Sequence, residues 1–431
     1  MINSSNEESR NILIVGSGGR EHALGWKLSQ SKLINEIYFA PGNGGTHTNI
    51  SIESSQVSDL ISFAKKYDCL TIVGPELPLA KGLVDSFIAA DLSILGPSME
   101  GALLESSKAF SKQFMKENNI PTADFCIFTD SEKATGYVKS RNAGLVIKVD
   151  GLASGKGVFV SSNADDALLA IDRIMVKKEF GEAGNKIIVE EKLTGKEVSL
   201  MVLTDGKNFQ VLASAKDYKR ILDNDLGPNT GGMGSFSPVP FFSDDIYATT
   251  LKKIVRPTMN AIRTFLKPFK GFLYFGLLLE EFTSKPYLLE FNVRMGDPEC
   301  QAIMMRMKSD LYPYIRGTLS GALDNMDPME WSDESAVCVV MASRGYPGRY
   351  KSGLAIRGID SDLGKNVTVF HAGTSRKSDN QLITNGGRVL GVAARGANLH
   401  SAAAHAYNGV SKISWGHNDQ YYRKDIAQVT G

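Results

Sequence analysis

Four times in the first hundred residues a short apolar run ends in a glycine or proline turn, and this repeat restricts the fold more than any other feature. Residues 12–15 (ILIV) run straight into GSGGREHA, 37–40 into PGNGGT, 70–73 into GPE and 93–95 into GPS. Helical spacing separates them, through Ala23, Leu24 and Leu28 and again over 57–66 and 79–90. Strand, tight turn and helix in alternation predict a parallel α/β sheet over residues 1–107. In open parallel sheets ligands sit beyond the carboxyl ends of strands, where these turns fall.

Beyond residue 107 the texture changes. Apolar strands at 125–128, 145–149, 158–160 and 187–189, with a helix over 164–175, predict an α+β segment at about 123–195, compact enough for a mobile lid. Strands follow at 198–203 and 210–213, then a long loop over 223–240, a helix over 247–266, strands at 273–279 and 287–291, and a helix over about 298–315. An Asp- and Met-rich break at 323–330 sets off a last unit with strands at 336–341, 367–371 and 388–394 and a helix from 399. The expected organisation is three domains, 1–107, 108–325 and 326–431.

Composition removes several function classes. Lys and Arg (48) nearly cancel Asp and Glu (47), so no global field recruits nucleic acid or an anionic membrane. No apolar run approaches 18 residues, and the polar start MINSSNEESRN has no secretory pattern. Cys69, Cys126, Cys300 and Cys338 form no CxxC pair, which predicts buried thiols in a reducing compartment, and the six histidines show no metal spacing. A cytoplasmic enzyme with no evident obligate protein partner is the expectation; oligomeric state is not readable.

Four segments carry chemistry. GSGGREHA fails as a dinucleotide fingerprint, because Glu21 stands where the third glycine is required; the Gly18 and Gly19 amides remain candidates for one smaller phosphate or a sugar. LVIKVDGLASGKGVFV is not a P-loop, since no Ser or Thr follows Lys156 and a strand comes next. It predicts a hairpin whose glycines, Gly151, Gly155 and Gly157, fold over a polyphosphate above Lys148. IIVEEKLTGKE reads either as a hinge whose backbone meets adenine and whose carboxylate meets ribose, or as a charged turn at a domain boundary. LLEFNVRMGDPE is expected to put Leu288, Glu290 and Asn292 on one strand face, with Glu290 and Asn292 as oxygen ligands for a hard cation, before Arg294, Asp297 and Glu299 gather in a turn. In DNDLGPNTGGMG, Gly231, Gly232 and Gly234 suggest a loop that orders when the site fills, beside the charges of Asp217, Lys219 and Arg220.

Together these motifs, with ASRGYPGRY, FHAGT, GGRVLGV and YRKDI nearer the carboxy terminus, resemble the phosphoribosylamine–glycine ligase family of the ATP-grasp superfamily, essentially end to end. The resemblance implies an amino-terminal parallel-sheet domain, an ATP-grasp core with a lid, and a small carboxy-terminal domain. It also implies ligation of glycine to 5-phosphoribosylamine through glycyl phosphate, with ATP and Mg2+ or Mn2+; another ATP-grasp carboxylate–amine ligase or carboxylase is the alternative. By that resemblance Lys108, Lys148 and Lys156 serve the ATP phosphates under the 151–157 hairpin. Glu190, Glu191 and Leu193 form the adenine hinge, Glu197 meets ribose, and Glu290 and Asn292 hold the metal. Arg294 orients substrate and acts in catalysis with Lys148 and Asp217, while Gly18, Gly19, Lys219, Arg220, Gly231, Gly232 and Asp297 serve the acceptor. Three departures stand out: Val149 replaces alanine in the lid, Tyr218 replaces histidine and so suggests altered specificity, and the strand before Glu290 has leucines where a further carboxylate ligand is usual.

Overall fold

Burial on both faces explains the apolar runs at the start of the chain. In the computed structural model, which describes residues 10–141, 144–152 and 157–428, they form β1 (Arg10–Gly16), β2 (Ile34–Pro41), β3 (Cys69–Val73) and β4 (Ile94–Leu95). These pair in parallel in the order β2-β1-β3-β4. Ile12, Leu13, Ile14 and Val15 are fully buried. Helix α1 (Gly19–Leu28) starts directly after the first glycine turn.

The lid segment has its own sheet and core. Strands β5 (Phe125–Phe128), β6 (Leu145–Val149), β7 (Val158–Ser161) and β8 (Ile187–Glu191) pair antiparallel in the order β5-β8-β6-β7. Beneath them Ala134, Val138, Ile147, Val149, Ala167, Ile171 and Val189 close a cluster separate from the main core. Val149, the residue that departs from alanine, is fully buried there. Helix α2 (Lys108–Glu117), capped by the Ser107 hydroxyl, runs from the first sheet toward this unit.

Behind the lid lies a second antiparallel sheet, built from β9 (Gly195–Thr204), β10 (Phe209–Val211), β15 (Gly271–Glu280) and β16 (Pro286–Asn292) in the order β10-β9-β15-β16. The helix expected over 298–315 divides into α3 (Glu299–Arg306) and a second helix, Leu311–Ser320. The break falls where Asp310 turns its carboxylate onto the Tyr312 amide to cap the second one.

Residues 223–240 are not the open loop their glycines suggested. Strands β12 (Arg220–Leu222) and β13 (Leu226–Asn229) make a hairpin, and β14 (Gly234–Ser237) enters the carboxy-terminal sheet between β11 (Lys216–Asp217) and β17 (Ser335–Ser343). The segment is ordered by backbone pairing, so it needs no ligand to hold it. The same sheet continues through Arg388–Gly396 and Val367–His371, and helix α4 (Leu399–Lys412) covers it. Among the described residues no helix is long and apolar enough to cross a membrane, and all four cysteines are free thiols.

Candidate active site

The first sheet, the lid and the second sheet meet around a cleft of about 1460 Å³, larger than a single small-ligand pocket needs. Lys108, Lys148, Gly157, Glu190, Glu191, Leu193, Glu197, Asp217, Lys219, Arg220, Gly231, Glu290, Asn292, Arg294 and Asp297 all line it. Gly155 and Lys156 lie outside the described residues.

On the lid side, strand alternation turns Lys148 inward, where its Nζ lies 2.9 Å from Glu190 Oε1 and donates to the Leu289 carbonyl at 3.2 Å. Glu190 Oε2 lies 3.0 Å from Lys112 Nζ, which in turn donates to Thr122 Oγ1 at 2.6 Å. Burial pulls the Lys112 ammonium down to about 8 despite Glu190. The Glu190 side chain, 2 % exposed, is therefore an anchor shared by two lysines. Its carboxylate is thus committed to these lysines, and residues 190–193, the expected adenine hinge, all border the cleft. The amides of Glu191 and Lys192 donate to the Asp124 and Gly144 carbonyls. Lys108 Nζ donates to the Gly151 carbonyl at 3.1 Å and so ties α2 to the hairpin base. Asp150, missed by the sequence reading, accepts from Ser107 Oγ and the Ala109 amide, both at 3.0 Å. Gly151 itself does not line the cleft.

The acidic strand departs from simple alternation. Gly276 pairs with Glu290 but Leu277 pairs with Leu288, so Leu289 is an extra residue in β16. That bulge frees the Leu289 carbonyl for Lys148 and breaks the expected shared face. Leu288 is fully buried in the core with Phe291, whereas Glu290 and Asn292 border the cleft. Burial would raise the Glu290 carboxyl, but Lys219, Lys148, Lys108 and Arg294 outweigh it and hold it down to about 2. An always-ionised carboxylate and an amide oxygen two residues apart suit a hard divalent cation that takes its other ligands from phosphates and water. No group of three or more His, Cys, Asp or Glu with metal-binding geometry occurs among the described residues. The residue opposite Glu290 is Gly276, and Glu280 turns its carboxylate onto the Thr283 amide and hydroxyl.

On the far side, Lys219 Nζ stands between Glu197 Oε2 (2.9 Å) and Glu290 Oε1 (3.5 Å), bridging the hinge strand to the acidic strand. Asp217 is half-buried at the cleft wall. Burial, with Glu299 nearby, raises its carboxyl well above the usual range, and Asp217 Oδ1 has no hydrogen-bond partner among the described residues. Glu299 accepts from Ser199 Oγ, which also bonds the Tyr274 hydroxyl, both at 2.9 Å. Arg294 is gripped by Glu105 (2.7 Å) and Glu76 (3.4 Å).

The glycine assignments are partly corrected. The Gly18 amide already donates to Glu21 Oε2 at 2.6 Å, so it offers the cleft room and no unpaired donor. Gly19 does not line the cleft; a Cβ there would stand 2.5 Å from Gln301 Nε2, and its bareness lets α1 pack on α3. Gly231 borders the cleft, but Gly232 sits behind it at φ +112°, where a Cβ would meet Pro298 Cδ at 2.5 Å and Asp217 Oδ1 at 2.7 Å. Tyr218 also faces away. Its ring packs by Phe236 and its hydroxyl accepts from the Ala427 amide, so the side chain that departs from histidine is committed to packing behind the cleft. Sequence reasoning missed Arg388, whose Nη1 donates to the carbonyls of Gly231 and Asp297, both at 2.6 Å, while Nη2 lies 3.3 Å from Asp297 Oδ2. The GGRVLGV motif was its only signal.

Comparison with known proteins covers the whole site. Three family profiles match in succession: phosphoribosylglycinamide synthetase N domain at residues 10–105, its ATP-grasp (A) domain at 106–300 and its C domain at 336–429. The phosphoribosylamine–glycine ligase of Rhodopirellula baltica is 46 % identical over 428 residues, 97 % of each chain, and that of Escherichia coli K12 is 44 % identical, covering 96 % of this chain and 97 % of that one. Among solved structures, the Thermotoga maritima phosphoribosylamine–glycine ligase superposes with a TM-score of 0.81 at 33 % identity, over 96 % of this chain and 99 % of that one. A biotin carboxylase from Campylobacter jejuni shares the fold alone, with a TM-score of 0.73 at 14 % identity over 96 % and 93 % of the two chains. With an ATP-grasp cleft and all three domains accounted for in order, the chain belongs to the phosphoribosylglycinamide synthetase family of ATP-dependent ligases.

Proposed function

We propose that this chain ligates glycine to 5-phosphoribosylamine at the expense of ATP, giving glycinamide ribonucleotide, ADP and phosphate for purine synthesis. The observation that carries the reading is one cleft holding an ionised acidic strand and three lysines, in a chain 44–46 % identical to relatives of that name over nearly its full length. In this reading the adenine lies by Leu193 and Glu191, the ribose by Glu197, and the phosphates along Lys108 and Lys148. The hairpin of the lid, residues 123–195, closes over them and excludes water from an acyl phosphate that hydrolyses readily. Glu290 and Asn292 hold Mg2+ or Mn2+, which supplies charge neutralisation for the transferring phosphoryl group.

Glycine's carboxylate takes the γ-phosphoryl group, oriented by Arg294. The amine of 5-phosphoribosylamine then attacks the acyl carbon, a C–N bond forms, and phosphate leaves. Asp217, with one buried and unpartnered oxygen, accepts the amine's proton. Lys219, Arg220, Gly231 and Asp297 border the acceptor, with Arg388 fixing the last two. All reactants are small molecules in the cytoplasm, and no step calls on a protein partner.

Purified protein given ATP, magnesium, glycine and freshly generated 5-phosphoribosylamine should form glycinamide ribonucleotide and ADP in equal amounts, with neither appearing when one substrate is omitted. ADP without glycinamide ribonucleotide would sink the acceptor assignment. Glu290→Gln keeps the shape and removes the charge, so turnover should fall at least 100-fold with little change in melting temperature; wild-type turnover at saturating magnesium would exclude Glu290 as a ligand.

A further inference from the structure

The most deeply buried charge in the carboxy-terminal third plays no part in the reaction as described. Arg423 has no exposed surface, and burying a guanidinium is costly unless every donor is paired. Its Nε and Nη2 form a fork on Asp425, at 2.7 and 2.5 Å, and its Nη1 donates to Asp225 Oδ1 at 2.7 Å. Two further contacts fall on either side of a single cleft residue. Arg423 Nη1 donates to the Arg220 carbonyl at 3.0 Å, and the guanidinium carbon stands 4.8 Å from the centre of the Tyr218 ring. Between those residues is Lys219, whose ammonium bridges Glu197 and Glu290.

The surrounding bonds tighten the same grip. The Lys219 carbonyl accepts from the Thr230 amide at 2.7 Å and hydroxyl at 2.9 Å. Asp425 also accepts from the Asn224 amide, and Asp223 from the Lys424 amide, each at 2.8 Å. The Tyr407 hydroxyl in turn donates to the Arg423 carbonyl at 2.8 Å. The 218–225 segment is therefore bound to residues 423–427 by several hydrogen bonds, with Arg423 at their centre.

We propose that Arg423 is a positioning residue: by clamping the backbone and ring on both sides of Lys219, it sets the Lys219 ammonium between the hinge carboxylate and the acidic strand. Without that setting Glu197 loses its lysine and Glu290 loses one of the four cations around it, and a polyphosphate meets a more negative wall. Lysine cannot replace the arginine, because a point charge provides neither the fork on Asp425 nor the stack on Tyr218. The proposal rests on the nucleotide side of the function above and not on the identity of the acceptor.

A double-mutant cycle separates positioning from plain anchoring. Dissociation constants for magnesium-bound adenosine 5′-(β,γ-imido)triphosphate, measured by calorimetry on the full chain, are compared for wild type, Arg423→Lys, Lys219→Met and the pair, with melting temperatures alongside. Arg423→Lys is expected to weaken binding about tenfold in the wild-type background and less than twofold in the Lys219→Met background. An equal loss in both backgrounds, or a lowered melting temperature with unchanged affinity, overturns the proposal. Should Arg423→Lys fail to fold, Asp225→Asn removes only the more exposed carboxylate and should weaken binding in the same direction, again only where Lys219 is present. Nucleotide binding is read without turnover, so absent glycinamide ribonucleotide synthesis would refute the function and leave this test standing.

Discussion

Lowering pH from 7 to 5 should loosen the seam between the first sheet and the carboxy-terminal domain through two histidines. His22 Nδ1 accepts the His371 amide proton at 2.9 Å, so it must be unprotonated, and the two rings stand 5.5 Å apart. Burial, with His47 nearby, takes His22 down to about 4; burial, with His22 and Arg376, takes His371 down to about 3. In the unfolded chain both titrate near 6.5, so below that pH the unfolded state binds protons that the folded state refuses. Stability from this pair is complete above about pH 6.5 and is lost as pH falls toward 4 and 3. At pH 5 the gap is about 1.5 units, worth about 2 kcal/mol for each histidine. Because other groups titrate too, the informative quantity is a difference. Denaturant midpoints at pH 7 and pH 5 for wild type and His22→Asn, which keeps an acceptor for the His371 amide, should show the variant losing about 2 kcal/mol less. Parallel losses would refute the reasoning. The seam matters to the site because the Asn43 side-chain amide ties the His371 carbonyl to the carbonyl of Ser17, which lines the cleft.

Glu190→Gln leaves Lys112 and Lys148 buried without their shared carboxylate, and should cost about 3 kcal/mol of stability and weaken binding of an ATP analogue, both checked on the same preparation by denaturation and calorimetry. Gly232→Ala forces a side chain into a left-handed backbone and against Pro298 and Asp217; about 2 kcal/mol of stability should go, with turnover falling more than nucleotide affinity, which a steady-state and binding comparison would show.

Strands buried on both faces, such as residues 12–15 and 70–73, were legible because composition alone marks them. The lysines and acidic strand were legible because their chemistry is unusual beside so much apolar sequence. What escaped depended on partners far away in the chain. The bulge at Leu289 is set by pairing with β15, and it moved Leu288 away from Glu290. Gly19 and Gly232 looked like acceptor-site glycines but are bare for close packing against Gln301 and Pro298. Glu190, in an apparent hinge motif, answers to Lys112 on a helix 78 residues earlier. From the last fifty residues Arg388 reaches the cleft and Arg423 reaches the backbone beside Lys219, and no local pattern says so.

Strand β14 carries a consequence for dissecting this protein. It belongs by sequence to the middle of the chain, yet among the described residues its only strand neighbours are β11 and β17, and Gly234–Ser237 is wholly buried between them. A fragment ending near residue 325 would present that edge bare to solvent, with apolar Phe236 beside it, which is a template for association with other chains. The three units resemble beads on a string in the sequence, but the middle one is hemmed by the last, and a soluble ATP-binding half should require the other half to be made alongside it.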